Sequence, residues 1–437
     1  MNEKNHKKND GLDRVGASKT TVKRKKSFSS SPAQEIRWDP DAVFKENKYY
    51  IRIASKFKLC KYIIAALTLI FTVVMLTVFS SDITSENFQY LIKDLDITGL
   101  TSEGDFASIV FNGGTNSKFG IYRGELAVIN SGLTGLYSSS GAFSFSKSNI
   151  FYSPELLVSN KYMLVYDSGN TTCSYSIYNS FAELKNEKMS YPITGAALSD
   201  NGAYAIVSRD SSYKGVLLWY DKDFNLLTEI KKDKYIISSA LTSDGTELAL
   251  ASVYDDGGDA VTELMTVTAG SESASASLTV TGVMPMMIRY LEDGNIAVLY
   301  TDRMVFYNGL LEELSSVSLS SLLSVKADIG KKLVCIVNNN TLIGNDKTVN
   351  IYNSGGELLY TSGYAGELLK LRSFENRAYL LFEDRMVMID LANGTERTVE
   401  VDPNAIDLVF TSSGLPVMCY AGSAIPVIMD DLPESES

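Results

Sequence analysis

The sequence predicts an all-β fold, an eight-bladed β-propeller, carried behind one N-terminal transmembrane helix. Three observations predict it. A single apolar run without a charge lies near the start of the chain. After it, a four-strand pattern repeats with a period near 41 residues, and each repeat carries a Gly or Asn turn at the same place.

The apolar run extends from Tyr62 to Ser81, YIIAALTLIFTVVMLTVFSS, twenty residues without a charged side chain. At about 1.5 Å per residue it spans roughly 30 Å, the thickness of a hydrocarbon core. Lys56, Lys58 and Lys61 flank its start, and Asp82 and Glu86 follow its end. A cleaved signal peptide would have a shorter apolar region, a shorter leader and a small-x-small site, and Val78-Phe79-Ser80 is a poor one. An uncleaved signal anchor is therefore expected. Charge supports the orientation. Residues 1 to 61 hold 16 Lys/Arg against 7 Asp/Glu, a net of +9, while the rest holds 24 against 45, a net of −21. A basic short tail beside an acidic bulk predicts a single-pass protein of the cell membrane, with its N-terminus cytoplasmic and its propeller extracellular.

The segments follow in order. Residues 1 to 35 are rich in Lys, Ser and Asn, carry KRKK at 23 to 26 and show no apolar period, which predicts a disordered basic cytoplasmic tail. Beside an anchor, that basic run is suited to anionic headgroups. Residues 36 to 61 mix Trp38, Tyr49, Tyr50 and Phe57 with basic residues, as a juxtamembrane segment does. Residues 62 to 81 are the transmembrane helix. In the stalk, residues 82 to 104, Phe88, Leu91, Ile92 and Leu95 share one face of a short amphipathic helix, with Ser85 as its N-cap. The propeller occupies 105 to 430, and a polar tail, 431 to 437, ends the chain.

Within the propeller, strand runs such as YAIVS (204 to 208), ELALAS (247 to 252), IAVLY (296 to 300), LVCIV (333 to 337) and YLLF (379 to 382) each follow a tight turn. The turn residues are Gly124, Asn160, Gly202, Gly245, Gly294, Gly330, Asn376 and Gly414, all of types that accept a positive φ. In six of the eight repeats the third strand ends in Asp or Asn: Asn179, Asp221, Asn308, Asn353, Asp390 and Asp430. Such side chains close a turn by accepting from backbone N–H groups two residues on, so a hairpin into a fourth strand is expected.

The strand count also predicts how the ring closes. The last repeat offers LVFTS, PVMCY and PVIMD and then runs into the polar tail, so its outer strand is missing. FASIVFN, residues 106 to 112, precedes the first complete repeat without a partner. Pairing it with the third strand of the last repeat completes eight blades; seven is the alternative.

SDNGAYAIV and SDGTELALA resemble the SPDGxxLA turn of quinoprotein-like and TolB-like propellers. The docking tryptophan of quinoprotein blades is missing, so the resemblance implies the fold and not its ring-locking details. Residues 36 to 430, through the anchor, ENFQYLIKDLD at 86 to 96 and the repeats, resemble an uncharacterised family of Gram-positive bacterial membrane-anchored propellers, a domain of unknown function. That resemblance implies no activity.

The chemistry that the residues exclude is informative. His6, in the basic tail, is the single histidine, so a Ser-His-Asp or Cys-His site and a histidine-ligated metal are excluded from the propeller. Trp219 is the sole tryptophan after the anchor, which argues against a quinone cofactor by comparison with the tryptophan-rich blades of quinoproteins. Cys60, Cys173, Cys335 and Cys419 contain no CxxC, and Cys335 and Cys419 lie in apolar strand contexts that predict buried thiols. Asp221, Asp223 and Asn225 copy the start of a calcium loop, but Leu226 replaces its Gly and Lys232 its Glu, so a solvated hairpin is expected. Asp255, Asp256 and Asp259 in DDGGD read the same way. Tyr204, Tyr220, Tyr307 and Tyr352 are expected to pack between blades. No residue is assigned a catalytic, cofactor-binding or metal-ligating role. The expected function is a non-catalytic, membrane-anchored binding or scaffolding module of the cell envelope. Its partners are the lipid bilayer through 62 to 81 and an envelope protein, peptide or glycan on the propeller, with no nucleic acid. A transmembrane sensor and a carboxylate-based glycan hydrolase are the alternatives.

Overall fold

The computed structural model describes residues 40–78, 89–90, 106–114, 116–271, 273–319, 325–339 and 346–428. The chain divides into two units, Met1–Leu100 and Thr101–Ser437. The basic tail 1 to 35, most of the stalk, Asp430 and the polar tail lie outside the described residues.

Among its described residues the first unit carries the long helix Pro40–Val78. Proline fits a first helical position, where its missing N–H would have no partner, and no Gly or Pro interrupts the next 38 residues. The helix therefore runs without a break from the basic segment into the apolar run. Its polar side chains turn inward: the hydroxyls of Thr68, Thr72 and Thr77 donate to the carbonyls of Ile64, Thr68 and Val73 at 2.9, 2.8 and 2.9 Å. The span Lys48–Val74 is long and apolar enough to cross a bilayer, and its described side chains are exposed almost throughout.

The second unit is an eight-bladed propeller of eight four-stranded antiparallel sheets, as the repeat predicts. Seven blades are made of consecutive strands; blade three, for instance, is Gly195–Leu198, Tyr204–Ser208, Gly215–Tyr220 and Leu226–Lys232. The eighth joins Asp407–Phe410, Pro416–Cys419 and Ser423–Pro426 to Ile109–Val110 from the start of the domain. Ile109 pairs with Ala424 and Val110 with Ser423, and Phe111 N–H donates to the Gly422 carbonyl at 3.0 Å.

One expectation needs correction there. The third strand of the last blade is Ser423–Pro426, not PVIMD. The turn from Cys419 is tight, with Tyr420 N–H donating to the Ser423 carbonyl at 2.7 Å, so the chain re-enters the sheet earlier than the apolar run implied.

Strand composition follows position in the blade. Second strands are buried on both faces and read as continuous apolar runs, as in Tyr204–Ser208 and Ile296–Tyr300. Fourth strands have one face open and alternate, as in Glu183–Lys188 and Ala274–Thr281. The core lies between blades: Tyr122, Ile129 and Leu136 of blade one pack with Met163, Val165 and Tyr178 of blade two. Trp219 fills the same role between blades three and four, against Ile236, Leu248 and Met265. Tyr204, Tyr220, Tyr307 and Tyr352 are buried as expected.

All eight turn residues lie between the first and second strands of their blades. Gly124, Gly202, Gly245, Gly294 and Gly414 take positive φ. Asn160, Gly330 and Asn376 do not, contrary to expectation, and each has a local reason. Ser159 Oγ closes the turn at Asn160 by accepting from Lys161 and Tyr162 N–H. In blade seven the strained position falls one residue earlier, on Glu375 with φ 50°. At Gly330 the requirement is space, since a Cβ there would overlap Ser373 Oγ of blade seven.

Candidate functional site

The third-strand Asp and Asn side chains all proved structural where they are described. Each Oδ1 accepts two turn amides: Phe181 and Ala182 on Asn179, Asp223 and Asn225 on Asp221, Leu310 and Glu312 on Asn308, Gly355 and Glu357 on Asn353, Ala392 and Asn393 on Asp390. Asp221 Oδ2 also accepts from Asn225 Nδ2 at 2.9 Å, so Asp221 spends both its oxygens on its own hairpin. Asp255, Asp256 and Asp259 close the long hairpin of blade four around Gly257 and Gly258. Cys335 and Cys419 are buried, and burial pushes both thiols well above their ordinary pKa.

The site that sequence reading missed is the central channel. The first strands of neighbouring blades touch at most junctions of the ring, that of blades eight and one included, so these strands line the axis. Together the eight inner strands carry five cations, Lys118, Arg289, Lys326, Lys370 and Arg372, against three carboxylates, Glu155, Asp328 and Asp407. An excess of positive charge thus lines the axis of a domain whose sequence is strongly acidic. The signal was present as charges two residues apart in otherwise apolar strands, Lys326 with Asp328 and Lys370 with Arg372. Spacing of two puts both on one side of a strand.

The carboxylates are all engaged. Glu155 meets Lys118 of blade one at 2.9 Å, and Asp407 meets Arg372 at 3.0 Å and Lys370 at 3.6 Å. Asp328 accepts from Ser373 N–H at 2.8 Å and Ser373 Oγ at 2.6 Å, with Arg372 Nη1 4.0 Å away. Burial raises its pKa above the ordinary carboxylate value in spite of these bonds. Burial likewise lowers the Lys326 ammonium, which donates to the carbonyls of Leu368 and Leu369. Arg289 makes no ion pair among the described residues; its Nη1 donates to its own Ile288 carbonyl at 3.1 Å. Burial lowers its pKa, with Tyr166 and Asp328 as the groups that act on it electrostatically.

The two ends of the channel differ. At the end holding the first-to-second-strand turns, Lys331 of blade six is ion-paired at 2.6 Å with Asp200 of blade three, a pair that spans non-adjacent blades. Neighbouring turns are laced as well, through Glu292 N–H to the Lys331 carbonyl at 2.7 Å and Arg123 Nε to the Asn160 carbonyl at 3.1 Å. The antiparallel alternation places Ile150, Tyr152, Tyr213, Tyr235, Met284 and Met286 at the opposite end, where all six are exposed. A cavity of about 420 Å³ lies between blades seven and eight beside Arg377, Tyr379, Asp390 and Ile428. Its Arg377 is already spent on Asp390 at 2.8 Å.

These features define a closed eight-bladed propeller whose inner strands carry an excess of cations and whose turns are laced together at one end. The chain belongs to the family of unknown function DUF5711, whose profile matches residues 107–420. Among solved structures it is similar to BamB from Moraxella catarrhalis, at 8% identity over 74% of this chain and 98% of that one, with a TM-score of 0.51. It is also similar to the Dos1 propeller, at 10% identity over 76% and 96%, with a TM-score of 0.52. At such identities the likeness is one of fold. No curated protein matches the sequence.

Proposed function

We propose that this chain is a non-catalytic binding or scaffolding propeller of the cell envelope, anchored by the apolar part of its helix in a Gram-positive bacterial membrane. The observation that carries this reading is the pairing of a rigid, self-closed ring with an exposed apolar rim at one end of its axis. Large exposed apolar patches bordered by polar residues mark interaction surfaces. The residue types support a binding role over a catalytic one, because the propeller sequence contains no histidine and its inner-strand carboxylates are held in ion pairs or serine hydrogen bonds. The exposed span Lys48–Val74, with Lys56, Lys58 and Lys61 just before its uncharged part, supports the anchor with the basic end inside.

In the test, the full-length chain is cross-linked in its own membrane, alongside rim variants Tyr152→Asp and Met286→Asp. A defined partner captured by the wild type and lost in both variants supports the reading; unchanged capture overturns the rim as the binding face. Protease added to intact cells should digest the region after Ser81 and spare the KRKK segment. Cleavage of the basic tail instead would reverse the topology. The unbroken helix from Pro40 into the apolar run favours one second reading, a transmembrane sensor that couples the propeller to the cytoplasmic tail.

A further inference from the structure

In the seven blades built of consecutive strands a short hairpin joins the third strand to the fourth, and its tip reaches back onto the preceding blade in four of them. Ser180 Oγ, in the hairpin of blade two, donates to Glu125 Oε2 of blade one at 2.5 Å. Tyr162 of blade two donates to the Lys222 carbonyl in the hairpin of blade three at 3.1 Å, and the Phe224 ring of that hairpin lies 5.4 Å from its own. Asn295 of blade five donates to the Ser354 carbonyl in the hairpin of blade six at 3.2 Å. Leu311, in the hairpin of blade five, joins the buried cluster of Ala240 and Ala249 of blade four. These tips fill the corner of a neighbouring blade with turn carbonyls and an apolar side chain.

Blade eight has no such hairpin, because its fourth strand, Ile109–Val110, arrives from the start of the domain. The corner of blade seven that it would fill is the cavity of about 420 Å³, a volume within the range of ligand sites. Two equivalences place it there. Glu125 and Asn295 directly follow the turn residues Gly124 and Gly294, as Arg377 follows Asn376, yet Arg377 bonds to Asp390 of its own blade. Val427 and Ile428 directly follow the third strand of blade eight, as Asn179 and Ser180 follow that of blade two, and both line the cavity. The Tyr379 hydroxyl, buried beside Arg377 in the cavity wall, has no hydrogen-bond partner among the described residues. A buried donor in that state is costly and is satisfied by an incoming acceptor. The strand edge beside it is short: Ala424 and Ser423 pair with the closing strand, but Ala107 N–H already donates to the Ser139 carbonyl of blade one, and Ile428 is 68% exposed.

We propose that this corner is the docking site for a β-turn of a partner protein, which takes the place of the missing hairpin. A carbonyl of the turn accepts from the Tyr379 hydroxyl, and one apolar side chain lies against Met388 and Leu415 in the cavity wall. The class of ligand follows from what fills the other corners. Tips such as DKDFN, 221 to 225, and NGLLE, 308 to 312, are turns headed by Asp or Asn with Phe224 or Leu311 as the inserted side chain. The site lies at the end of the axis that holds the first-to-second-strand turns, away from the apolar rim, and so goes beyond the rim reading.

The experiment titrates the full-length chain in detergent micelles into a fluorescein-labelled cyclic peptide containing WYDKDFNLLT, the sequence of residues 219 to 228, and reads anisotropy. Saturable binding is expected, and a peptide with the same residues scrambled should not bind. Affinity should fall roughly tenfold or more in Ser413→Trp, which fills the mouth of the cavity from an exposed position. It should fall about fivefold in Tyr379→Phe, the worth of one neutral hydrogen bond, and stay unchanged in the rim variant Met286→Asp. Tyr379→Phe should melt no lower than the wild type, because its hydroxyl makes no bond within the protein; a lower melting temperature makes that hydroxyl structural and overturns its role. No saturable binding, equal affinity in wild type and Ser413→Trp, or loss of binding in Met286→Asp overturns the site. Binding seen only after residues 430 to 437 are deleted gives the cavity to the chain's own acidic tail and overturns the partner. If the peptide fails to bind while the rim-dependent partner is still captured, this inference falls and the rim reading stands. If the peptide binds and no partner is captured at the rim, the corner site stands and the rim reading falls.

Discussion

Ile109, near the start of the propeller, pairs directly with Ala424, near its end, and both side chains are fully buried. The ring is thus shut by a strand ladder between residues more than three hundred positions apart. Phe106, Ile109 and Phe111 enter one cluster with Leu126 and Val128 of blade one and Val417 and Cys419 of blade eight. Val110, between them, is 80% exposed. Ile109→Ala should therefore cost about 2 to 5 kcal/mol in urea unfolding, and Val110→Ala less than about 0.5 kcal/mol. Equal midpoints for the two variants would show that the closing strand does not hold the ring.

Closure was legible because the strand count left one strand short and one spare. Its register was not, since SAIPVIMD offers apolar residues throughout and the short turn after Cys419 alone decides which of them pair. The Asp and Asn marks were legible for the opposite reason: each acts within four residues of itself, so its structural role needs no knowledge of the ring. The contacts across the ring were illegible because residues such as Asp200 and Lys331 are brought together by closure, which no local pattern encodes.

Asn353 gives a measurable local case. Its Oδ1 accepts from Gly355 N–H at 3.0 Å and Glu357 N–H at 2.9 Å, and its Nδ2 donates to Glu357 at 3.1 Å. Asn353→Ala should cost about 1 kcal/mol, because the amides it frees are exposed and water replaces part of the loss. Asn353→Asp keeps the acceptor but turns the Nδ2 donor into a carboxylate oxygen facing Glu357, so at neutral pH it should recover only part of the loss. Amide exchange at Gly355 and Glu357 is the direct readout, faster in the alanine variant.

Nucleic acid should bind the basic tail and not the propeller. The sequence after Lys61 carries a net −21, and the cations of the inner strands lie inside a ring where a duplex does not fit. Full-length chain should shift a DNA duplex only at low salt, and deletion of residues 1 to 35 should abolish the shift. Salt-sensitive binding that survives the deletion would contradict this.

Asp390 and Asp328 should respond to acid with opposite signs. Burial raises the Asp390 pKa, but Arg377 Nε at 2.8 Å and the amides of Ala392 and Asn393 outweigh it, so the folded value lies below the unfolded one. The stability it contributes is then complete above about pH 4 and is lost as pH falls through the lower folded value. Asp328 is shifted the other way, burial prevailing over its bonds from Ser373 and the charge of Arg372. Its ionised form is disfavoured in the folded state, so acidification from neutral pH through its raised pKa adds stability until about pH 4 is reached. Asp390→Asn should lose about 1 kcal/mol at pH 7, a modest figure because Arg377 is 43% exposed, and should show a shallower decline below pH 4. Asp328→Asn keeps an oxygen to accept from Ser373 and should lack the gain on mild acidification. Urea midpoints of the two variants and the wild type, measured from pH 7 to pH 3, separate these cases. Parallel curves for all three proteins would mean that neither carboxylate has the shift its surroundings imply.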